Sequence, residues 1–394
     1  MKKTNSKAMA AIVCAALLLS GCTQAENPTL PNETAAAAAD ITYTSESTET
    51  QTETKPEPVT TKKETEIITV TENTSEKTET APTAVLPAEK AGEVPDDYRE
   101  DGESGIKIIG KNGHYMGLMG CWGTFELCDG YIEAVNRAAE ALPDINVYSM
   151  VIPTSSEFYT PDDVTGFTAS QKAKIDYIAE GLNGVVNADA YSALASHLEE
   201  AIYTRTDHHW QPLGAYYAAE AFAKAAGAEA DFAALSEYKT ATKEGYVGSL
   251  YNYSKSVNLY NDPEPFTMYI SPNDQSLKTT YYDTSFQNGY ESDLFVSRDA
   301  GAFYCSFLGS DDRIAEITTN CENGKTLVIF KESYGNALVP FLTCCYQNIY
   351  VCDVRYFDLN AAEFCKETGA TDLLFATCTF TPAGPNCSYV QALF

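Results

Sequence analysis

The stretch that decides the fold is Leu327-Val328-Ile329-Phe330-Lys331-Glu332-Ser333-Tyr334-Gly335-Asn336, where an apolar run passes into a polar turn. A short, continuous apolar run is typical of a strand that is buried on both faces of a parallel sheet. The turn predicts a strand-to-helix connection that places Ser333 at the carboxyl edge of the sheet, where open α/β folds bind ligands. The first backbone N–H groups of the following helix would then face an oxyanion.

The segments around this stretch alternate between the two periodicities. Ile106 to Ile109 predicts a strand that ends in an Asn112-Gly113 turn, and further strands are predicted at 145–152, 349–352 and 373–377. Helices are predicted at 130–142, 170–182, 190–203 and 212–226, with two more beginning near Asn336 and Leu359. Alternating strands and helices predict an α/β fold, a three-layer α/β/α arrangement with a mostly parallel sheet.

The region from about 240 to 300 has a different texture, because tyrosines stand among Asn, Ser, Asp and Pro. These tyrosines are Tyr246, Tyr251, Tyr253, Tyr260, Tyr269, Tyr281, Tyr282 and Tyr290. We expect an irregular or β-hairpin insertion here. Tyrosine is a favoured strand residue, and it also stacks on sugar rings, so both interpretations of the individual tyrosines stay open.

The N-terminus predicts export. A basic start and a short apolar stretch lead to Leu19-Ser20-Gly21-Cys22, which resembles the bacterial signal for lipidation of the cysteine. We expect residues 1–22 to be a lipoprotein signal peptide and lipidated Cys22 to anchor an extracytoplasmic protein to the cell membrane. The alternative is an ordinary secretory signal, which would leave Cys22 as a free thiol.

Residues 23–97 are rich in Thr, Glu and Pro and predict a disordered linker, because such a composition cannot bury enough apolar surface to offset the entropy of ordering. Residues 98–394 are long enough for one large core. The formal net charge of −29 argues against nucleic acid as a partner and against direct binding to anionic membrane surfaces. It places no restriction on neutral polysaccharides.

The cysteines leave two interpretations open. Of twelve, Cys14 leaves with the signal and Cys22 carries lipid, so 12 − 2 = 10 remain in the folded part. Export permits disulfides. However, Cys352 and Cys378 stand inside apolar runs, where a buried free thiol is equally expected. Neither the cysteines nor the histidines have zinc-ligand spacing, so we predict no metal.

Only four histidines occur in the chain, and two of them stand in Asp207-His208-His209-Trp210. In an extended segment, residues two apart project to the same side, so Asp207 would orient His209 while His208 points away. Ser333 then supplies the third group of a serine-nucleophile site, with His209 as the base. The alternative is a purely structural role, in which Asp207 caps the next helix and the two histidines have no catalytic function.

These residues carry a resemblance to a known family. The segments 203–210 and 214–216 resemble the signature of the DHHW family of bacterial exported proteins. Its other blocks resemble residues 151–155, 248–251, 331–336, 340–342 and 353–356. More distantly, the chain is similar to the periplasmic alginate O-acetyltransferase proteins, which implies an SGNH-hydrolase-like fold. Asp207 and His209 match the Asp-x-His element of those proteins and Ser333 matches their nucleophile. One difference is Glu332, where an aspartate commonly precedes the serine.

The resemblance implies O-acyl or O-acetyl transfer to, or ester hydrolysis on, a cell-envelope polysaccharide, with no cofactor. A membrane-bound protein that donates the acyl group is a further expected partner. Four other residues are candidates for substrate binding or charge stabilisation: Asn336, His208, Trp210 and Arg355. For Arg355, a structural pairing with Asp353 is the stronger expectation.

Two other classes of function compete with the serine enzyme. The first is a non-catalytic, glycan-binding surface lipoprotein with a degenerate hydrolase fold. The second is a metal phosphoesterase, because Asp-His-His also occurs in the DHH phosphoesterases. That class needs several more carboxylate and histidine ligands, and only His114 and His197 remain.

Overall fold

The computed structural model describes residues 94–394. The predicted signal peptide, the lipidation site Cys22 and nearly all of the predicted linker lie outside this range. Val94 forms a bridge with Gly113, so the described chain is tied to the fold from its first residue. Within the described range, no helix has the length and apolar character needed to cross a membrane.

The central element is an eight-stranded sheet. Its strands are β4 (Asn146–Ile152), β5 (Val185–Asn187), β8 (Lys278–Tyr282), β9 (Tyr290–Glu291), β10 (Ile314–Thr318), β11 (Thr326–Lys331), β12 (Asn348–Asp353) and β13 (Asp372–Cys378). The order across the sheet is β5-β4-β13-β11-β12-β10-β8-β9. The first five strands are parallel, whereas the last three form an antiparallel edge. The mostly parallel sheet is therefore confirmed.

Strand β11 lies inside this sheet and is buried along its whole length. Its side chains alternate between two cores: Leu327 and Ile329 belong to one apolar cluster, and Val328 and Phe330 belong to another on the opposite face. This two-sided burial is the physical reason for the unbroken apolar run in the sequence.

Helices cover both faces. The helices are α1 (Asp129–Ala141), α2 (Ser155–Tyr159), α3 (Gln171–Gly181), α4 (Ala190–Ala195), α5 (Pro212–Ala225), α6 (Ser249–Ser254), α7 (Val257–Asn261), α8 (Val339–Leu342), α9 (Ala361–Glu367) and α10 (Cys387–Ala392). Residues of α4, α5 and α8 belong to the apolar cluster that contains Ile329. Residues of α1, α3, α9 and α10 belong to the cluster on the other face, which contains Val328. The predicted three-layer α/β/α arrangement is confirmed.

A separate three-stranded antiparallel sheet is formed by β1 (Arg99–Asp101), β2 (Ile106–Lys111) and β3 (His114–Met119). The turn between β2 and β3 is the predicted Asn112-Gly113 pair, with φ of 52° and 79°. Two consecutive positive φ values suit a tight hairpin turn, which favours Asn and Gly at these positions.

The Tyr-rich region is partly as expected. Strands β6 (Lys239–Tyr246) and β7 (Glu264–Ile270) pair in an irregular antiparallel sheet, and α6 and α7 lie between them. Strands β8 and β9 of the same region join the main sheet instead of forming an insertion. Their alternating burial had no separate signal in the sequence, because tyrosines occupy both buried and exposed positions there.

Two predicted helices differ from the structure. The helix expected over 190–203 ends at Ala195, where the Ser196 hydroxyl donates back to the Ser192 carbonyl, and Tyr203 instead bridges Trp210. The helix expected from Asn336 begins earlier, as a 3-10 helix over Ser333–Leu338, and continues into α8. The ten cysteines of the described range are all free thiols, seven of them buried.

Candidate active site

Ser333 lies at the carboxyl end of the sheet, two residues after β11 ends at Lys331. Only 5% of its surface is exposed. The carboxylate of Glu332 accepts the Tyr334 N–H at 3.1 Å, and the Glu332 carbonyl accepts the Gly335 N–H at 2.9 Å. Our expectation that the first helical N–H groups would face an oxyanion is therefore wrong for Tyr334 and Gly335.

The histidine segment is a tight loop closed by the antiparallel bridge between Tyr203 and Trp210. Residues 205–209 are a series of bends, so the extended conformation that we expected for Asp207 to His209 is wrong. Thr204 stabilises the loop from inside by donating its hydroxyl to the Asp207 carbonyl at 2.8 Å. The bend itself brings Asp207 to its neighbour two residues on, because Asp207 Oδ1 accepts the His209 backbone N–H at 3.0 Å.

The structure brings Asp207, His209 and Ser333 together in one hydrogen-bonded chain. Asp207 Oδ1 lies 2.6 Å from His209 Nδ1, and His209 Nε2 lies 2.8 Å from Ser333 Oγ. His209 therefore has one nitrogen on the carboxylate and the other on the hydroxyl. This is the arrangement that lets an imidazole take a proton from serine while the carboxylate fixes its tautomer.

Two rings hold the His209 imidazole in place. Tyr304 stacks on one side, with ring centroids 3.7 Å apart and an interplanar angle of 6°. His208 lies 3.8 Å from the same ring at 37°. The Tyr304 hydroxyl donates to the carbonyls of Ser333 and Tyr334 at 3.0 and 2.9 Å. Tyr304 thus links the orientation of the base to the backbone that carries the serine.

Asp207 stays ionised at this buried position. Burial by itself raises the pKa of its carboxyl, but His209, His208 and the Ser249 N–H together hold that pKa well below its usual range. The opposite holds for His208, because burial and the adjacent His209 lower its pKa to about 3. The His208 ring is therefore neutral at physiological pH.

A second carboxylate, Glu264, anchors the loop from behind. Glu264 Oε1 accepts the Thr206 N–H at 2.7 Å, the Thr206 hydroxyl at 2.7 Å and the Arg205 N–H at 2.8 Å. Its other oxygen accepts the side-chain amide of Gln211 at 3.3 Å. Glu264 is 4% exposed, so these donors replace the water that a carboxylate needs.

Gly248 and Ser249 fix the far side of Asp207. A Cβ atom on Gly248 would lie 2.4 Å from Asp207 Cβ, so only glycine permits this close approach. The approach lets Ser249 N–H donate to Asp207 Oδ2 at 2.7 Å. The Ser249 hydroxyl lies 2.6 Å from His208 Nδ1, which places His208 beside the triad rather than pointing away from it.

Glu332, the residue that departs from the family pattern, is 2% exposed and bridges two strand ends. Besides the Tyr334 N–H, its carboxylate accepts the Cys378 N–H at 2.8 Å, where β13 ends. Its Oε2 also lies 3.5 Å from Ser333 Oγ. The glutamate therefore holds the turn to the neighbouring strand, and one of its carboxyl oxygens lies close to the serine hydroxyl.

Trp210 does not lie where a substrate would contact it. The side chain is fully buried, and its indole N–H donates to the Tyr304 hydroxyl and to the Tyr334 carbonyl, both at 3.1 Å. The substrate contact that we expected for Trp210 is inconsistent with this burial. The residue instead supports the backbone on either side of Ser333.

Asn336 and Arg355 belong to a buried ion cluster next to the site. Lys331 Nζ lies 2.9 Å from carboxylate oxygens of both Asp311 and Asp353. Arg355 contacts the same two carboxylates at 2.9 and 2.7 Å, and Asn336 donates its amide to Asp311 at 2.9 Å. The Asp353–Arg355 pairing is confirmed, and the hydrogen bonds of Asn336 and Arg355 to Asp311 tie both side chains to this cluster.

One cluster of the described residues has the composition of a metal site. Asp207, His208 and His209 offer ligand atoms within 4.8 Å of one another. Both nitrogens of His209, however, form the hydrogen bonds to Asp207 and Ser333, and His208 Nδ1 lies 2.6 Å from the Ser249 hydroxyl. The other two histidines, His114 and His197, pair with carboxylates of their own. This arrangement suits proton transfer better than metal binding, because a metal phosphoesterase needs several further ligands.

The fold and site define an SGNH-hydrolase-like α/β/α protein with a serine, histidine and aspartate aligned at the carboxyl edge of its sheet. More particularly, the chain belongs to the DHHW family: the model described as DHHW protein matches residues 122–352. A DHHW family protein from Eubacterium siraeum is 41% identical in its crystal structure, with a TM-score of 0.71 over 75% of this chain and 98% of that one.

Two more distant solved structures are similar to this chain, and the first of them shares its fold. PatB1 from Bacillus cereus, in a structure with a sulfonyl adduct, is 14% identical, with a TM-score of 0.60 over 72% of this chain and 98% of that one. The O-acetyltransferase domain of Pseudomonas putida AlgJ is 14% identical, with a TM-score of 0.41 over 72% of this chain and 98% of that one. The comparison with curated proteins gives no match.

Three residues of the site escaped the sequence analysis. Ser249 stands in a block that already carried the family resemblance, so its proximity to Asp207 was open to prediction. Glu264 and Tyr304 had no such signal. Each is one of many glutamates or tyrosines, and only the fold brings the first to Thr206 and the second to His209.

Proposed function

We propose that this protein is a cell-surface lipoprotein that transfers or hydrolyses O-acyl groups, acetyl above all, on a cell-envelope polysaccharide. The observation that carries the proposal is the chain from Asp207 through His209 to Ser333, with links of 2.6 and 2.8 Å. Membership of the DHHW family and a fold shared with PatB1 are consistent with it.

The chemistry follows from the positions of the three groups. Ser333 Oγ attacks the acyl carbonyl while His209 Nε2 takes the hydroxyl proton, and ionised Asp207 stabilises the imidazolium. The leaving oxygen then receives that proton from His209, which leaves an acyl group on Ser333. A sugar hydroxyl or water gives its proton to His209 and attacks the acyl group, which regenerates the serine.

The oxyanion needs a donor other than Tyr334 and Gly335, whose N–H groups are bonded to Glu332. We assign this role to His208. Its neutral ring lies next to His209, and the Ser249 hydroxyl at 2.6 Å from Nδ1 can donate to that nitrogen, which leaves the proton on Nε2. A neutral imidazole that donates from Nε2 stabilises an oxyanion without competing for the serine proton.

A covalent serine probe tests the nucleophile. The purified protein should react with a fluorophosphonate or sulfonyl fluoride, and mass spectrometry should place the adduct on Ser333. Ser333→Ala should abolish labelling, whereas Ser388→Ala, at an exposed surface serine, should leave it unchanged. Labelling that survives in Ser333→Ala removes this assignment. A folded wild-type protein that never reacts favours the non-catalytic glycan-binding alternative.

An assay with and without a sugar acceptor distinguishes acyl transfer from hydrolysis. With p-nitrophenyl acetate as the donor, an acyltransferase should release p-nitrophenol faster when oligosaccharide is added and should produce acetylated sugar, detectable by mass spectrometry. An esterase should release it at the same rate with or without sugar. Metal analysis of the same sample addresses the phosphoesterase alternative, which requires stoichiometric metal and activity that a chelator abolishes.

Export and anchoring form a separate part of the proposal. Lipidation of Cys22 would hold the domain at the outer side of the membrane, where a membrane-bound partner could supply the acyl group. Cys22→Ser should move the protein from the membrane fraction to the soluble or secreted fraction and abolish labelling by a fatty-acid analogue. Unchanged membrane retention would contradict the anchor.

A further inference from the structure

A groove of about 550 Å³ opens beside the small antiparallel sheet. Residues of β1 and β2, the loop at 163–167 and Trp122, which follows β3, line this groove. None of the three proposed catalytic residues lines this groove, so it is a separate feature of the surface.

Trp122 and Phe167 are the two aromatic residues that line the groove. Their ring centroids lie 6.1 Å apart in an edge-to-face arrangement, and both side chains are partly exposed. The chain contains two tryptophans, and the other, Trp210, is fully buried. A partly exposed indole in an open groove offers an apolar face on which the C–H face of a sugar ring can stack.

The charges of the groove are paired, and their exposure is unequal. Arg99 binds the carboxylate of Asp163 through two nitrogens at 2.8 and 3.2 Å, and Lys107 pairs with Asp101. The carboxylate side chains are 63% and 85% exposed, whereas those of Arg99 and Lys107 are 23% and 19% exposed. The groups that an incoming ligand meets are therefore acceptors for hydroxyl donors, and they repel anions.

The groove is connected to the triad through one aromatic cluster. Trp122, Tyr253 and Phe380 all pack against the apolar cluster under the small sheet, which contains Ile106 and Leu250. The Tyr253 ring lies 6.3 Å from the ring of His208, and Phe380 follows β13 close to the Cys378 N–H that Glu332 binds. The same apolar cluster is therefore contacted by Trp122 of the groove and by Tyr253 beside His208.

We propose that this groove binds a neutral glycan chain, with a sugar ring stacked on Trp122 and hydroxyl groups donated to Asp163 and Asp101. The inference deepens the proposed function and rests on it in one respect: the bound chain is the polysaccharide whose acyl group Ser333 handles. Paired cations and outward carboxylates select against uronic acid and phosphate polymers, and the net charge of −29 adds to this selection.

Binding can be measured without turnover. The full-length protein in detergent is titrated with neutral hexasaccharides (chitohexaose, cellohexaose and maltohexaose) and with anionic hexagalacturonate, by calorimetry and by tryptophan fluorescence. At least one neutral chain should bind saturably and change the emission, and hexagalacturonate should bind about tenfold more weakly or not at all. Trp122→Ala should weaken neutral binding by about tenfold, and Trp122→Phe by less.

The controls separate the groove from the triad. Ser333→Ala should bind the glycan like wild type, and Trp122→Ala should still react with the serine probe. Phe125→Ala, at an exposed aromatic residue outside the groove lining, should change neither. Asp163→Ala, at an exposed carboxylate, provides a second test that does not depend on the fold around Trp122 and should weaken binding by about fivefold.

Two results overturn the proposal: no neutral chain binds the folded protein, or binding is unaffected by both Trp122→Ala and Asp163→Ala. Equal binding of hexagalacturonate overturns the charge selection. Absence of serine labelling together with intact neutral binding would remove the proposed enzyme but leave the groove as a glycan site.

Discussion

Two buried polar clusters stand side by side where β11 ends, and they treat charge in opposite ways. The ion cluster around Lys331 contains two cations and two carboxylates, each paired with partners of opposite sign. The triad around Ser333 contains one carboxylate and no permanent cation, and Asp207 is balanced by hydrogen-bond donors and an imidazole. A single residue, Glu332, separates Lys331 from Ser333 in the chain.

The difference indicates that the ion cluster has a structural role and the triad a catalytic one. In the ion cluster, burial lowers the pKa of Lys331, but Asp311 and Asp353 outweigh it and raise that pKa to about 12, so the charges stay fixed. In the triad, the proposed reaction moves a proton from Ser333 to His209 and back. The first cluster holds strand ends together, and the second leaves one proton free to move.

The largest expected effect is on the mobile proton. Asp207→Asn keeps the size of the side chain and one carbonyl oxygen but removes the charge that stabilises the His209 imidazolium. The rate of acyl transfer or ester hydrolysis should fall on the order of 10⁴-fold. Steady-state kinetics on an acetyl ester measures this, and urea unfolding should show that the variant remains folded. A loss below about tenfold would mean that Asp207 only shapes the loop.

The ion cluster should show the reverse pattern. Lys331→Met leaves two buried carboxylates with one cation, and the free energy of unfolding should fall by about 3–5 kcal/mol, measured in urea. The folded fraction should still react with the serine probe. Lys278→Met, which removes an exposed partner of Glu291, should have little effect on stability. Equal stability of the two variants would contradict the structural role of the cluster.

Glu264 tests whether the triad depends on its outer support. In Glu264→Gln, one carboxylate oxygen that accepts hydrogen bonds from Arg205 or Thr206 becomes an NH2 group, which only donates. The loop should therefore shift. We expect kcat to fall about 10- to 100-fold with little change in KM, because Asp207 and His209 are displaced while the substrate groove is not. Glu229→Gln, at an exposed glutamate, is the matched control. A change in KM alone would place Glu264 in substrate binding.

The smallest effect is on pH dependence. The pKa of His208 is lowered from an ordinary value of 6.5 to about 3. Between pH 6.5 and pH 3, His208 is therefore protonated in the unfolded chain but not in the folded chain. Stability should therefore fall as pH drops through this window, by at most about 1.4 kcal/mol per pH unit from this group. His208→Asn should remove that slope, measured as urea unfolding at several pH values. Parallel slopes for both proteins would contradict the assignment.

The sequence was sufficient where one residue type has one physical reason to be present. The apolar run before Ser333 predicted a doubly buried strand, and Asn112-Gly113 predicted a hairpin turn. The scarcity of histidine directed attention to Asp207 and His209. Where several conformations suit the same residues, prediction failed. Bends at 205–209 replaced the expected extended segment, and the helix from Ala190 ended at Ala195, well before Tyr203, which pairs with Trp210.

By itself, the sequence determined the α/β alternation, the family and the three side chains brought together in the proposed site, because periodicity and rare residues are local properties. Only the tertiary structure decided which groups surround them. Tyr304 stacks on His209, Glu264 carries the loop, and the N–H groups after Ser333 are taken by Glu332. These contacts join residues far apart in the chain, and which distant surfaces meet depends on the packing of the whole core.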